Sequence, residues 1–411
     1  MHYDMVFEGG GAKGMVFVGA IQEIEKRGHH PGRLLGTSAG SIMATFLAAG
    51  YDAAEMGVAL TEEKDGQPVF MGFLETPHGF TREEIESSEV RQLLRQTNLK
   101  LVPDGLEDRL DNALAEALAT SRLGSRVFSF IERGGLYAAD NFLAYMKEKL
   151  NSGTYRSEAG TFGMGKPRQF GEMTLAEFYA ATAIDLSLVA ADTTGAQMLI
   201  LNHRTAPDCP VVRAVRMSMN LPLLWEEVVW QKDWGTYRGR DITGHTVVDG
   251  GLLSNFPIEL FLSTQPQVTA VMGEKKVEQW NVLGFLIDET VEVTGAPPPA
   301  EEKEARISGL GTLRTITRVK NLLNTVTQAH DKSVIEAFER FVVRLPARTY
   351  GTIEFGMSAE RREALMRAGQ ATTAGYFNRL EAAAAAGPSF AVDVAEVEPT
   401  ADRIAAKLLD R

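Results

Sequence analysis

The sequence predicts an α/β fold: a central, mostly parallel sheet flanked by helices, with a helical insertion and C-terminal helices. Three observations carry that prediction. Tyr3–Phe7 is a short apolar run that ends in glycines, as a buried strand does. A helix follows from about Met15 to Arg27, with Val16, Ala20, Ile21 and Ile24 on one face and Gly28 as its stop. Arg33–Gly36 and Ala39–Ala49 then repeat the pattern as strand and helix. Strand, glycine loop, helix, strand, tight turn, helix is the opening of a sheet wound by crossover connections.

The stretch from about 51 to 180 is more charged, has few strand candidates and reads as a mostly helical insertion. Strand signals resume at Leu186–Ala191, Met198–Asn202, Thr246–Val248, Val268–Met272 and Val282–Ile287, and Phe341–Leu345 is a further candidate. Glu292–Arg306, with Pro297-Pro298-Pro299 and a Glu/Lys run, reads as an exposed loop. Leu310–His330 and Ser358–Ala386 read as helices, the second ended by Gly387-Pro388.

The 411 residues carry 42 Lys+Arg against 54 Asp+Glu, so 42 − 54 gives a formal charge of −12. No basic stripe exists to neutralise phosphates, which excludes nucleic acid as a main partner. Any contact with a membrane surface has to be local and apolar for the same reason. A hydrophobic content of 44% with 23% charged residues excludes disorder over the whole length. The single cysteine, Cys209, excludes an intramolecular disulfide and leaves a cysteine-rich metal site without ligands. The N-terminus has neither the basic nor the apolar region of a secretory signal. No run of about 18 apolar residues occurs, so a soluble cytosolic protein is expected.

Three segments carry chemistry. Gly9-Gly10-Gly11-Ala12-Lys13-Gly14 lies between the first strand and its helix, where a glycine loop can turn several N–H groups toward one point. The anion so held is a phosphate or the oxyanion of an acyl-transfer intermediate. These residues match the dinucleotide fingerprint G-x-G-x-x-G, but the second strand ends in no carboxylate to hold a ribose. It runs instead into Gly36-Thr37-Ser38-Ala39-Gly40, a G-x-S-x-G between strand and helix. That placement is what a nucleophile elbow requires, with Ser38 as a simple helix N-cap the alternative.

A nucleophilic serine needs a base. A triad in the order Ser, acid, His would use His330, or His245 with Asp192 upstream, and none of these sits in a distinctive loop. The third segment offers another base: Val247-Val248-Asp249-Gly250-Gly251 puts a carboxylate at the end of a strand read as parallel, the edge where α/β sheets place their sites. A turn-forming Asp-Gly pair is the plainer reading.

Gly-Gly-Gly-Ala-Lys-Gly, Gly-Thr-Ser-Ala-Gly and Asp-Gly-Gly, in this order and context, resemble the signature of the patatin-like phospholipases. Gly135-Leu136-Tyr137, Leu188-Val189-Ala190-Ala191-Asp192 and Ala214-Val215-Arg216-Met217-Ser218 before Pro222 agree with it, and the resemblance covers roughly residues 3–260. It implies a patatin-like catalytic domain over 1–290, the insertion at about 51–180 included. A mostly helical C-terminal part over 291–411 packs on the same domain. It implies a Ser–Asp dyad, with Ser38 as nucleophile and Asp249 as the base that takes its proton directly. The N–H groups of Gly9, Gly10, Gly11 and Ala12, with Ala39 a further candidate, would form the oxyanion hole. Gly14, Gly36, Gly40, Gly250 and Gly251 complete the motifs. Lys13 stands where the family carries Arg or Lys; it holds the loop, faces a lipid phosphate or forms a structural salt bridge.

The implied reaction is hydrolysis of acyl esters of phospholipids or other acyl lipids through an acyl-enzyme, without calcium, metal or other cofactor. The rival readings are a thioesterase or acyltransferase on the same dyad, and a silent lipid- or nucleotide-binding regulator. An unrestrained phospholipase would damage its own cell. Self-association, an activating partner or a small ligand is therefore expected to control it, as in a regulated bacterial effector, with only transient, peripheral membrane contact. Pro68–Leu74 is an apolar patch that reads as a lid, an interfacial loop or the core of the insertion, and Trp225 and Trp230 are candidates to line an acyl channel. Physically, an aspartate of ordinary pKa about 3.9 is a poor base for a hydroxyl, so the dyad requires Asp249 to be desolvated.

Overall fold

A computed structural model describes residues 1–96, 121–157, 163–274, 281–298, 334–385 and 394–409. The first strand, β1 (His2–Phe7), leads through a 3₁₀ turn at Gly11–Gly14 into α1 (Met15–Lys26). The second unit is β2 (His30–Thr37) and α2 (Ala39–Ala48). The remaining sheet strands are β3 (Leu186–Asp192), β4 (Gln197–Leu201), β5 (Val228–Val229), β6 (Thr246–Asp249), β7 (Val282–Glu292) and β8 (Val342–Arg348). In space β8, β7, β1, β2 and β3 lie side by side and parallel. The parallel part is covered on both faces, so its strands read as continuous apolar runs. Met5 and Phe7 enter one core with α1 and α2, while Val6 between them enters a second with Phe256 and Phe261.

The described insertion is mainly helical, with helices at Ala53–Leu60, Arg82–Ser87, Glu89–Gln96, Arg122–Glu132, Asp140–Leu150 and Leu175–Thr182. Asp52, Thr81 and Thr174 each form a capping box with the Glu three residues on, which fixes those starts. Its Gly135–Tyr137 segment pairs in parallel with Leu223–Trp225. Pro68–Leu74 is no lid standing free. Phe73 is buried, Phe70 and Leu74 pack partly against the main core, and Met71 stays 38% exposed.

Two expectations are corrected. Val268–Met272 belongs to a helix, Pro266–Met272. Its buried residues Val268, Val271 and Met272 follow helical spacing, and Pro266 sits at the first helical turn, where its missing N–H costs nothing. The strand ending in Asp249 is antiparallel to β3 rather than parallel. Residues 299–306 of the proline-rich loop and the predicted helix at Leu310–His330 lie outside the described residues. No helix among the described residues is long and apolar enough to cross a membrane.

C-terminal to β8, α3 (Ala359–Ala385) packs on α1, and α4 (Val394–Leu409) contributes to the second core. The α1–α3 crossing is close because both helices present glycine. A Cβ on Gly19 would stand 1.7 Å from Met366 O, and one on Gly369 2.1 Å from Val16 O. Gly19→Ala and Gly369→Ala are therefore each expected to cost about 1–3 kcal/mol as overpacking. The readout is a lower urea midpoint at unchanged slope; an unchanged midpoint would contradict this crossing.

Candidate active site

The sheet register brings two strand ends together. On one edge of β3, β4 pairs with Leu188 through Asp192. The other edge is shared. β2 takes its first part, with Thr37 opposite Val189, and antiparallel β6 takes the rest, with Asp249 opposite Ala190. The two strands run toward each other and stop at neighbouring rungs, so Ser38, which follows Thr37, meets Asp249.

Ser38 sits at a strained elbow, with φ 52° and ψ −122°. A non-glycine residue there costs about 1–3 kcal/mol and persists only where its surroundings enforce it. Here the Ser38 N–H donates to Ser218 Oγ (3.2 Å), and its carbonyl accepts from the Ser41 N–H (2.9 Å) and Ser41 Oγ (2.5 Å). The elbow also needs Gly40, where a Cβ would stand 2.2 Å from Phe7 O. Ser38 holds the N-cap position of α2, yet its side chain makes no capping hydrogen bond. The hydroxyl instead lines a cavity.

Asp249 is buried. Its N–H donates to Asn220 O (2.9 Å), and its Oδ1 accepts from the Gly251 N–H (2.8 Å). Oδ2 is buried without a hydrogen-bond partner among the described residues. Burial pushes the carboxyl up to about 7, with the Ser38 hydroxyl and the Gly251 N–H pulling the other way.

The glycine loop is held at both ends. The Gly9 N–H donates to Asn255 O (3.3 Å), and Asn255 Nδ2 donates back to Gly9 O (2.8 Å) and to Glu8 Oε1 (3.1 Å). Glu8 Oε2 accepts from the Ile287 N–H (2.5 Å). The Ala12 N–H donates to Thr352 O (2.9 Å). Of the four residues expected to donate to an oxyanion, Gly9 and Ala12 are therefore committed elsewhere. Gly10 and Gly11 have N–H groups without a partner among the described residues. Gly11 has φ +56°, and a Cβ there would stand 2.1 Å from Thr352 O. Lys13 is buried and ion-paired with Glu289 of β7.

The cavity beside Ser38 is narrow and apolar, about 70 Å³, with Gly11, Ala12, Phe73, Phe142, Met219 and Trp225 in its wall. Trp225 is held by its indole N–H on Phe73 O (2.7 Å). Trp230 lies elsewhere, with its ring against Trp234.

A sequence model of the patatin-like phospholipases matches residues 5–262, more than half of the chain. The chain belongs to that family. YqhO of Bacillus subtilis (strain 168) is 28% identical over 380 residues, spanning 91% of this chain and 97% of that protein. A probable lipid hydrolase, 463L, of Invertebrate iridescent virus 6 is 24% identical over 132 residues, 29% of this chain and 41% of that one. Among solved structures, VipD from Legionella pneumophila matches at 17% identity with a TM-score of 0.43, covering 92% of this chain and 67% of that one.

Of the histidine alternatives, His245 stands away from the site in this patatin-like chain. His245 Nδ1 is 2.9 Å from Asp192 Oδ2, but His245 precedes Asp249 by four residues on an extended run, roughly 13 Å away. His330 lies outside the described residues. Asn255 and Thr352 are site residues that sequence reasoning missed, and Ser218, in a segment that carried the resemblance, had been given no role. Asn255 had one signal, its position four residues after Gly251.

The raised Asp249 pKa has a stability consequence. Between about pH 4 and 7 the unfolded chain gives up this proton while the folded chain keeps it, so stability falls across that window and levels off above it. Asp249→Asn is expected to melt higher than the parent protein at pH 8, with the gap closing toward pH 4. A gap independent of pH would contradict the buried, raised carboxyl.

Proposed function

We propose that this protein is a serine esterase of the phospholipase A type, cleaving acyl esters of phospholipids through a Ser38–Asp249 dyad. The observation that carries the reading is the meeting of a strained serine and a buried carboxylate with an unsatisfied oxygen, beside an apolar cavity. Ionised Asp249 takes the Ser38 proton as Oγ attacks the acyl carbonyl. The oxyanion forms beside Gly10 and Gly11, and Asp249 returns the proton to the departing alcohol oxygen. In the second half Asp249 takes a proton from water, the hydroxide oxygen bonds to the acyl carbon, and Ser38 leaves with the proton restored as fatty acid departs. A pKa near 7 leaves about half of the base ionised at neutral pH while keeping it basic enough to matter.

Nothing in these steps draws on calcium. The electrophile is polarised by two peptide N–H groups, each worth about 3–4 kcal/mol where such donors have been removed. The net charge of −12 leaves recruitment to lipid to local apolar contact, for which exposed Met71 of Pro68–Leu74 is suited.

Fatty-acid release from mixed phospholipid vesicles in EGTA tests the reading. Ser38→Ala and Asp249→Ala are each expected to lower release by at least about 10³-fold. The rate should rise with pH through an apparent pKa near 7. Asp249→Asn with near-parent turnover would overturn the dyad. Asn255→Ala, which removes the side-chain bonds to Gly9 O and Glu8 while the backbone carbonyl still holds the Gly9 N–H, is expected to lower kcat by roughly 10-fold with little change in KM.

A further inference from the structure

The wall of the cavity changes character from its depth to its rim. Phe73, Phe142 and Trp225, deep in the wall, are buried. Phe70 and Phe355, also lining it, are half-buried, and their rings stack on each other with centroids 6.2 Å apart and planes 10° apart. Phe355 also lies 6.2 Å from the Trp225 ring. One ring of the pair comes from the insertion. The other comes from the loop between β8 and α3, outside the residues the family model matches.

That loop is braced. Glu354 Oε1 accepts from Arg361 Nε (2.8 Å) and its Oε2 from the Gly351 N–H (2.9 Å). Buried Arg361 also donates to Thr349 O (2.9 Å) and Pro297 O (2.6 Å). Thr352 O holds the Ala12 N–H. Phe355 therefore stands on a fixed platform, tied to the same loop that carries Gly10 and Gly11. The space it encloses is small: about 70 Å³, against the ~150 Å³ of an apolar cavity that takes up benzene. Ser38 and the Phe70–Phe355 pair line the same small space, so an acyl chain that outgrows it has to contend with these rings.

We propose that Phe355 is a specificity-determining residue that caps the length of acyl chain the site accepts, so that short acyl groups are favoured over long ones. The proposal rests on the reading of Ser38 as an acyl-transfer nucleophile. Removing the ring opens room for further methylenes, and each one newly buried is worth roughly fourfold in binding.

The experiment compares kcat/KM for p-nitrophenyl esters from butyrate to dodecanoate in the parent protein, Phe355→Ala and Phe355→Trp. In parallel, calorimetry follows binding of the matching free carboxylates to Ser38→Ala with and without Phe355→Ala. The parent is expected to favour the shorter esters. Phe355→Ala should raise the dodecanoate-to-butyrate ratio by roughly 10-fold or more, and Phe355→Trp should lower it. If Phe355→Ala fails to melt cooperatively, Phe355→Leu replaces it with the same expected sign. Ratios and binding limits unchanged by these substitutions overturn the proposal. If the parent cleaves none of the esters but the carboxylate limit moves with Phe355→Ala, the hydrolase reading falls and the length cap stands. If neither hydrolysis nor a shift in binding is seen, both fall.

Discussion

One edge of the strand Leu186–Asp192 is divided between two strands that approach it from opposite ends, and the site depends on that division. β2 arrives parallel, β6 antiparallel, and each ends where the other begins. A register slip of one residue in either would turn every side chain of that strand to the opposite face. The pairing is held by burial on both sides: Leu188, Val189 and Ala190 are all inaccessible to water. Gly250 lets the β6 turn approach, since a Cβ there would stand 2.5 Å from the Val189 carbonyl. The relative position of Ser38 and the Asp249 carboxylate is thus set by sheet hydrogen bonding.

Two local costs are concentrated at this junction. Ser38 occupies a backbone region that disfavours any side chain, and Asp249 is taken out of water with one oxygen unsatisfied. Neither would survive in isolation. Ser218, Ser41 and the Phe7–Gly40 contact fix the elbow, and the surrounding core buries the carboxyl. Together they orient a hydroxyl and raise the basicity of its neighbour at a cost in stability.

How much was legible in the sequence follows from the range of the interactions. The strand–loop–helix openings were readable because glycine spacing and apolar periodicity are local. The elbow was readable from five consecutive residues. Strand direction at Thr246–Asp249 was not, because a short apolar run reads identically whichever way it pairs. Val268–Met272 misled for a related reason: the same apolar positions satisfy a short strand or two turns of helix, and Pro266 was the missed cue. The glycine loop was found, but not which of its donors are spent, because Asn255 and Thr352 reach it from distant parts of the chain. The partner of Lys13 was hidden for the same reason, since Glu289 lies far along the chain.

The place of β1 in the sheet bears on how this protein can be dissected. β1 has β2 on one side and β7 on the other, and β7 begins at Val282, beyond the last residue of the family match. A fragment cut at that limit would strip one whole side of β1, leaving the backbone of Asp4–Phe7 as a bare parallel edge ready to pair with another chain. It would also free Lys13 of its counter-charge and release the Ala12 peptide. The span that the family model matches is therefore smaller than the span that completes this sheet.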